Sequence, residues 1–280
     1  MSDMSKIKTA IAIAFPIILL GLYSFFTFFP LAWSIMASFK TTGQLIRREP
    51  LFIFAPTLEN YRALFAYGEK FIEYMINSII VNVVAVGVSL AVGLPMAYSL
   101  ARFRLKYQDG WAVFILTMRM FPPIVILIPF YILYQSLGLM DTLFGLVIFY
   151  QIFNLPLIVW LLRGYFRDVP REIEEAGMMD GASRITAFRR HVMPLVLSAT
   201  IATCLIAFSM TWNDFLVSTI LTTVHTKTAP AYLGQMRGYT GVLWSQLAAA
   251  GLLMTVPVVI LALIFRKYLV RVLSFGAVRR

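Results

Sequence analysis

The chain has 280 residues, of which 60% are hydrophobic and 13% are charged, and its mean hydropathy is +0.81. Soluble domains carry about 45–50% apolar and about 25% charged residues, so a soluble enzyme and a disordered chain are both excluded. A single cysteine, Cys204, excludes a disulfide scaffold. The net charge of +11 is typical of loops that flank membrane helices. The composition therefore predicts a membrane protein whose environment is lipid and which binds no nucleic acid.

Six apolar stretches are long enough to cross about 30 Å of hydrocarbon, which takes about 20 residues. In chain order they cover residues 9–39, 74–101, 120–140, 142–162, 192–213 and 238–265. The third begins near Trp111, so that it includes Arg119. Stretches of this length predict an all-α membrane protein with six transmembrane helices rather than a β-barrel. Lys6 and Lys8 precede the first stretch as in a signal peptide, but its length predicts an uncleaved anchor.

The distribution of positive side chains predicts the orientation in the membrane. The N-terminus and residues 102–106, 163–190 and 266–280 together hold 16 of the 24 Lys and Arg residues, whereas the alternate loops hold 7. Positive residues accumulate on the cytoplasmic side of membrane proteins. Both termini and the segment 163–190 are therefore predicted to be cytoplasmic.

Two further patterns concern the packing of the predicted helices. Small residues at every fourth position let helices approach closely in lipid, and they occur at Ala85, Ser89, Gly93, Ala97, Ala199, Thr203, Ala207 and Thr211. Proline removes a backbone hydrogen bond, so it is predicted to kink or break a helix. The prolines concerned are at positions 16, 30, 95, 122, 123, 129, 156 and 257. The alternative, that they are tolerated without consequence, stays open.

The charged segment between the fourth and fifth stretches predicts two short helices. The first begins after Pro170, because proline suits a first turn and acidic residues suit a helix N-terminus; these acidic residues are Glu172, Glu174 and Glu175. Asp180-Gly181 predicts a sharp turn in which glycine takes backbone angles closed to other residues. Ser183 predicts the cap of the second helix, whose apolar side is formed by Ile185, Phe188 and Val192.

This segment resembles the EAA loop of ABC importer permeases. The matching residues are Glu175-Ala176-Gly177, Asp180-Gly181-Ala182 and Pro194. Other parts are similar to carbohydrate importers of the maltose type, and within them to the smaller permease subunit; they are Asn77-Ser78 and residues 97–103, 118–123, 153–156, 212–215 and 276–280. Gly177 stands where the family commonly has alanine, which is expected to loosen the first helix by about 1 kcal/mol.

The resemblance implies the ABC importer permease fold, with a single transmembrane permease domain over residues 1–280. Within it, residues 164–193 would form a cytoplasmic coupling loop that docks into a cleft on an ATPase. The residues implied for this coupling are Glu174, Glu175, Ala176, Gly177, Asp180, Gly181, Ala182, Ser183, Arg189 and Pro194.

The resemblance also implies the partners and the location. These are a second sugar permease subunit in a heterodimer, two copies of a cytoplasmic ABC ATPase and an extracytoplasmic sugar-binding protein, in the inner membrane of a bacterium or archaeon. The sequence has no G-x-x-x-x-G-K-[ST] phosphate loop. ATP and magnesium are therefore expected on the ATPase, and the chain is expected to have no catalytic residues and no cofactor of its own.

Five polar residues in or near the stretches are candidates for a sugar path or gate, namely Arg119, Gln151, Asn154, Asn213 and Asp214. Each has a structural alternative: Arg119 as a tie to a neighbouring carbonyl, and the others as hydrogen bonds between helices. The two histidines stand apart, so no metal site is predicted. The resemblance implies that the outer segment 216–244 reaches toward the binding protein; the alternative is that it is a passive connector.

A secondary carrier driven by an ion gradient is the main alternative function. Such carriers use acidic residues inside their membrane helices and have internal repeats, whereas no acidic residue lies well inside any stretch here. A structural membrane anchor does not account for the two-helix segment. The resemblance, with these alternatives disfavoured, therefore implies a permease that couples ATP hydrolysis on a partner chain to sugar uptake by alternating access.

Overall fold

The structure is a computed structural model that describes residues 2–66, 70–104, 106–238 and 241–277, with side chains described from residue 14 to 270 except 237–241. The predictions that rest on Lys6, Lys8 and the tail 276–280 therefore fall outside the described side chains. The helices and strands are α1 Ser2–Ser38, α2 Thr42–Leu45, α3 Glu59–Leu64, α4 Phe71–Arg102, α5 Gln108–Thr117, α6 Pro123–Leu137, α7 Leu143–Asp168, α8 Arg171–Met179, α9 Arg184–Ala187, α10 Met193–Trp212, α11 Leu216–Leu221, α12 Ala229–Leu233, β1 Arg237–Gly238, β2 Gly241–Val242 and α13 Trp244–Ala277. Two irregular turns join this series, a 3₁₀ turn at Met118–Met120 and a π turn at Phe188–Val192.

The chain divides into two compact units. The first comprises Met1–Glu69 and Met236–Leu253, and the second comprises Lys70–Gln235 and Met254–Arg280. In the first unit, Asn60 Nδ2 donates to the carbonyls of Ser38 at 2.7 Å and Lys40 at 2.8 Å, which fixes the chain just after α1. The Lys40 side chain is buried, with its ammonium 4.9 Å from the ring centroids of Trp33 and Phe54. β1 and β2 form a short antiparallel pair in the same unit.

The sequence predicted six membrane helices, and the described residues contain five or six candidate spans. Among the described residues, five helices are long and apolar enough to cross a membrane, at Ala14–Ser38, Phe71–Arg102, Leu143–Asp168, Arg184–Trp212 and Trp244–Val270. A further apolar pair of helices, Gln108–Met120 and Pro123–Leu137, meets at an angle of 85° and counts as a sixth candidate span if the pair is taken as one span, or as a re-entrant loop otherwise. The all-α fold class predicted from composition is therefore confirmed.

The third predicted stretch is divided into two helices at Pro122-Pro123, where the sequence predicted that proline would kink or break the helix. Phe121 has extended backbone angles (φ −69°, ψ 131°), as expected for a residue that precedes proline. The prediction that prolines break helices is confirmed at this point. The other prolines behave differently, since α1, α4, α6, α7 and α13 each contain an internal proline and continue past it.

The second unit is built around α4, α7 and α10. All eight small residues predicted to pack are buried, which confirms the expectation from their spacing. Gly93 of α4 shows the reason, because a Cβ at this position would lie 2.9 Å from Ile158 Cγ2 of α7. The two backbones are therefore close enough that only glycine fits without a shift.

Candidate coupling surface and transport path

The 164–193 segment contains the sharp turn that the sequence predicted. α8 follows Pro170 and ends at Asp180. The turn is closed by backbone hydrogen bonds from Asp180 N to Ala176 O (3.1 Å), from Gly181 N to Met178 O (3.0 Å) and from Ala182 N to Gly177 O (3.1 Å). Gly181 has φ +87°, which confirms that this position uses a backbone conformation that favours glycine.

The second predicted helix begins as expected but is not short. Ser183 caps it by accepting from Thr186 N at 3.3 Å. The helix then continues through α9, the π turn and α10 as a single candidate span, Arg184–Trp212. Pro194 has no N–H to donate to the carbonyl four residues before it, and the wider π turn lies at this place. The second helix is therefore the beginning of the fifth membrane helix.

The residues predicted for coupling face in two directions. Glu175, Ala176, Asp180, Gly181, Ser183, Arg189 and Pro194 are exposed, Ala182 is half-buried, and Glu174 and Gly177 are buried. Two large apolar side chains are also exposed beside them, Met179 at 88% and Ile185 at 67%. We call the exposed side chains of Glu175, Met179, Ile185 and Arg189 the α8–α9 surface. Met179 was not among the sequence candidates, although it lies next to the turn.

Glu174 points inward to α4. It accepts a hydrogen bond from Tyr98 Oη, and its Oε2 lies 3.3 Å from Arg102 Nε. The side chains of Glu174 and Arg102 are 6% and 4% exposed. Gly177 also faces inward, since a Cβ there would lie 2.7 Å from His191 Cδ2. The sequence could not distinguish Glu174 from its acidic neighbours.

A second charged cluster lies near the start of α5 and the end of α7. Arg163 and Arg167 of α7 both donate to Asp109 Oδ1, the latter at 2.7 Å. Arg163 Nε also donates to Leu100 O of α4 at 3.3 Å. Arg163 is 7% exposed, so these contacts provide the partners that a buried guanidinium needs. The cluster therefore holds α4, α5 and α7 together at this end of the second unit.

Two of the path candidates join neighbouring helices. Gln151 Nε2 donates to Ala85 O at 3.2 Å and to Val147 O at 2.8 Å, and Ser89 Oγ donates to Gln151 Oε1 at 2.5 Å. Asn154 exchanges hydrogen bonds with Thr211 at 2.9 and 3.0 Å. These contacts match the structural alternative described for both residues. Their role in a sugar path stays a prediction.

The other three candidates lie near the bend and at the far end of α10. Arg119 is in the 3₁₀ turn, with Nη2 2.6 Å from Met210 Sδ. Asn213 is exposed and donates to Ser209 O at 2.7 Å. Asp214 accepts a hydrogen bond from Tyr150 Oη at 3.0 Å. Burial raises the pKa of the Asp214 carboxyl, although the hydrogen bond from Tyr150 and two from backbone N–H groups partly oppose this rise. Among the described residues, no hydrogen bond or ion pair joins two of the five candidates, and their role in a sugar path stays a prediction.

Asp141 is a structural residue that the sequence interpretation missed. It takes a left-handed conformation (φ +53°) between α6 and α7. Its carboxylate accepts from Thr223 Oγ1 (2.6 Å), Thr226 Oγ1 (2.9 Å) and the backbone N–H groups of residues 223–226. Partial burial opposes ionisation, but these hydrogen bonds outweigh it and hold the pKa of Asp141 well below its usual range.

The contacts of Asp141 fix residues 223–226, within the segment 216–244. Asn77 Nδ2 adds bonds to His225 O at 3.1 Å and Lys227 O at 3.2 Å, and Ser78 Oγ accepts from Ala229 N at 2.8 Å. The Asn77-Ser78 pair quoted for the family resemblance therefore contacts this segment. Among the residues that the structure describes, no group of three or more His, Cys, Asp or Glu side chains could hold a metal ion.

Comparisons with known proteins agree with this architecture. A sequence model of the family "Binding-protein-dependent transport system inner membrane component" matches residues 89–274. A probable ABC transporter permease of Sinorhizobium fredii is 37% identical over 91% of this chain and 92% of its own length. The trehalose/maltose transport system permease protein MalG of Thermococcus litoralis is 33% identical, over 90% of this chain and 91% of its own. A bacterial ABC transporter involved in the import of the acidic polysaccharide alginate shares the fold at a TM-score of 0.76 and 22% identity, with 93% of this chain and 97% of that chain covered.

Proposed function

Because the chain belongs to the family of binding-protein-dependent transport system inner membrane components, we propose that it is one of two permease subunits of an ATP-driven sugar importer. The second permease would be a different chain, so that the two form a heterodimer. Two copies of a cytoplasmic ATPase and an extracytoplasmic sugar-binding protein would complete the complex. The chain would lie in the inner membrane of a bacterium or archaeon, with both termini in the cytoplasm.

The α8–α9 surface carries this proposal. It combines two exposed apolar side chains, Met179 and Ile185, with two exposed charges of opposite sign, Glu175 and Arg189. Apolar anchors surrounded by charges are typical of a protein docking surface. The turn at Gly181 holds this surface at the end of a membrane helix, where a docked ATPase could displace it.

The mechanism follows from what this surface is attached to. α9 continues through the π turn into α10, and α8 contacts α4 through Glu174. When the ATPases bind ATP and approach one another, they would move the α8–α9 surface and with it these helices. The sugar path would then open alternately to the two sides of the membrane. The chain would perform no covalent chemistry, since ATP and magnesium would be bound by the ATPase.

The opposite side of the second unit supports the proposed contact with the binding protein. Asp141 and Asn77 hold residues 223–227 in a fixed conformation, and a fixed surface lowers the entropy lost on docking. The class of substrate is proposed from the relatives, of which one is named for trehalose and maltose and one fold neighbour for alginate. A sugar is therefore the proposed cargo of this chain.

The test is reconstitution in proteoliposomes with the partner permease and the binding protein, with and without the ATPase. Radiolabelled trehalose and maltose are the first probes, followed by alginate oligosaccharide. We expect uptake only when the ATPase and ATP are both present. Accumulation driven by an ion gradient without the ATPase would contradict the proposal and would favour a secondary carrier.

A further inference from the structure

The contacts of Glu174 lie beneath the α8–α9 surface. We propose that Tyr98, Arg102 and Glu174 act as positioning residues that make α8 and the end of α4 move as one rigid body. Displacement of the surface would then be passed directly to the membrane helix Phe71–Arg102. This inference rests on the proposed function, because it assumes that an ATPase displaces α8.

The energetic basis is the burial of an ion pair. Glu174 Oε1 accepts a hydrogen bond from Tyr98 Oη. Glu174 Oε2 lies 3.3 Å from Arg102 Nε and forms an ion pair with it, but the two groups are not aligned as a hydrogen bond. Arg102 Nη2 is buried and has no hydrogen-bond partner in the described part of the chain. Breaking this pair while either side chain stays buried leaves that charge without compensation, which is far more costly than breaking an exposed pair.

The position of the Tyr98 hydroxyl is fixed by aromatic packing. The Tyr98 ring centroid lies 4.5 Å from that of Phe188 in the π turn and 5.6 Å from that of Phe166 in α7. Phe103 adds an edge contact at 6.0 Å. The ring therefore cannot follow Glu174 by rotating freely, so a displacement of α8 must move the backbone of α4 as well.

The neighbouring acidic residues provide the contrast. Glu172 and Glu175 lie on the same helix and are exposed. Glu175 belongs to the α8–α9 surface, so it is unsuitable as a control. Glu172→Gln removes the same charge from the same helix without touching the buried pair, which makes it the matched control for Glu174→Gln.

The first test measures the movement of α8 against α4 in the complete complex. Spin labels are attached at Arg104→Cys and Arg171→Cys in a Cys204→Ala background. Both labelled positions line one small polar pocket, so the two labels are close enough to broaden each other's EPR spectrum by dipolar coupling. Spectra are recorded without nucleotide and with ATP and orthovanadate. We expect the same label separation in both states when the pair is intact, and a wider distribution with ATP and orthovanadate in Glu174→Gln and Tyr98→Phe.

Two results would overturn the proposal. One is a label separation that already changes with ATP and orthovanadate when Glu174, Tyr98 and Arg102 are unaltered. The other is a spectrum of Glu174→Gln that matches that of Glu172→Gln in both states. Because the measurement needs only nucleotide trapped on the ATPase and no measurement of uptake, it does not depend on which sugar is transported.

The second test measures the sugar imported per ATP hydrolysed. A purely structural role would lower import and hydrolysis in proportion to the amount of assembled complex. We expect Glu174→Gln and Tyr98→Phe to keep hydrolysing ATP while the ratio falls on the order of 10-fold, and Glu174→Asp to recover part of it. An unchanged ratio would contradict the inference. If the unaltered complex hydrolyses ATP but imports no sugar, the proposed function fails while the EPR result still decides this inference.

Discussion

Replacement of Gly181 tests whether the angle of the turn controls coupling. In the described part of the chain, no atom lies within 4 Å of a Cβ built at this position. A substitution therefore causes no collision and acts only through the backbone angle of φ +87°. For a residue with a Cβ, the left-handed region costs about 1–2 kcal/mol, and a β-branched residue is the least tolerated there.

These energies predict a graded series. Asparagine enters the left-handed region most readily of the residues with a side chain, so Gly181→Asn should stay near wild type. Gly181→Ala should lose about 1–2 kcal/mol of preference for the native turn, which is a factor of about 5–30 in its population. Gly181→Val should lose more. Gly164→Val is the matched control, because Gly164 also has no atom near its Cβ among the described residues but is helical.

The assay is ATP-dependent uptake in proteoliposomes, normalised to the amount of assembled permease in the membrane. We expect membrane abundance to stay near wild type throughout, because the turn lies outside the membrane helices. Uptake should decrease from asparagine to alanine to valine. Equal uptake by Gly181→Val and Gly181→Asn would refute the role of the turn angle.

Three further predictions follow from the site. Gly177→Ala should not gain the helix stabilisation of about 1 kcal/mol that this change usually gives, because the new Cβ would collide with His191. The double variant Gly177→Ala with His191→Ala should gain that stabilisation. Thermal unfolding in detergent measures the difference between the two. Asp141→Asn should speed hydrogen exchange at residues 223–226 near pH 7. In the unaltered protein the folded pKa of Asp141 lies below its unfolded value of about 3.9, so this protection is complete above that value and is lost as the pH falls through the folded pKa. Arg119→Ala should change uptake without lowering the unfolding temperature, since its one described side-chain hydrogen bond is with a methionine sulfur; a parallel loss of both would indicate a structural tie.

The sequence predicts the membrane helices well because charges interrupt the apolar stretches at their ends. It also predicts the turn at Gly181 and the packing of Gly93, since both depend on local backbone geometry and residue size. A break at Pro122-Pro123 was predicted, but its angle of 85° was not, because two adjacent prolines mark where a helix stops and not the direction in which the chain continues.

Contacts between distant parts of the chain were harder to predict. Asp141 binds a segment 82 to 85 residues away, and nothing in its local sequence indicates that partner. Glu174 and Glu175 are adjacent and chemically alike, yet one is buried against α4 and the other is exposed. That difference depends on the rotation of α8 about its axis, which only tertiary packing determines.

The π turn at Phe188–Val192 determines how far the α8–α9 surface is rotated about the helix axis relative to the fifth membrane helix. A π turn contains one residue more than the α-helical turn it replaces, and one residue corresponds to about 100° of helix rotation. Deleting a single residue here would restore a regular α-helix and leave α10 intact. Ile185 would then be rotated by that angle about the helix axis relative to α10. The length of this turn, more than the identity of its residues, thus decides which way the surface faces.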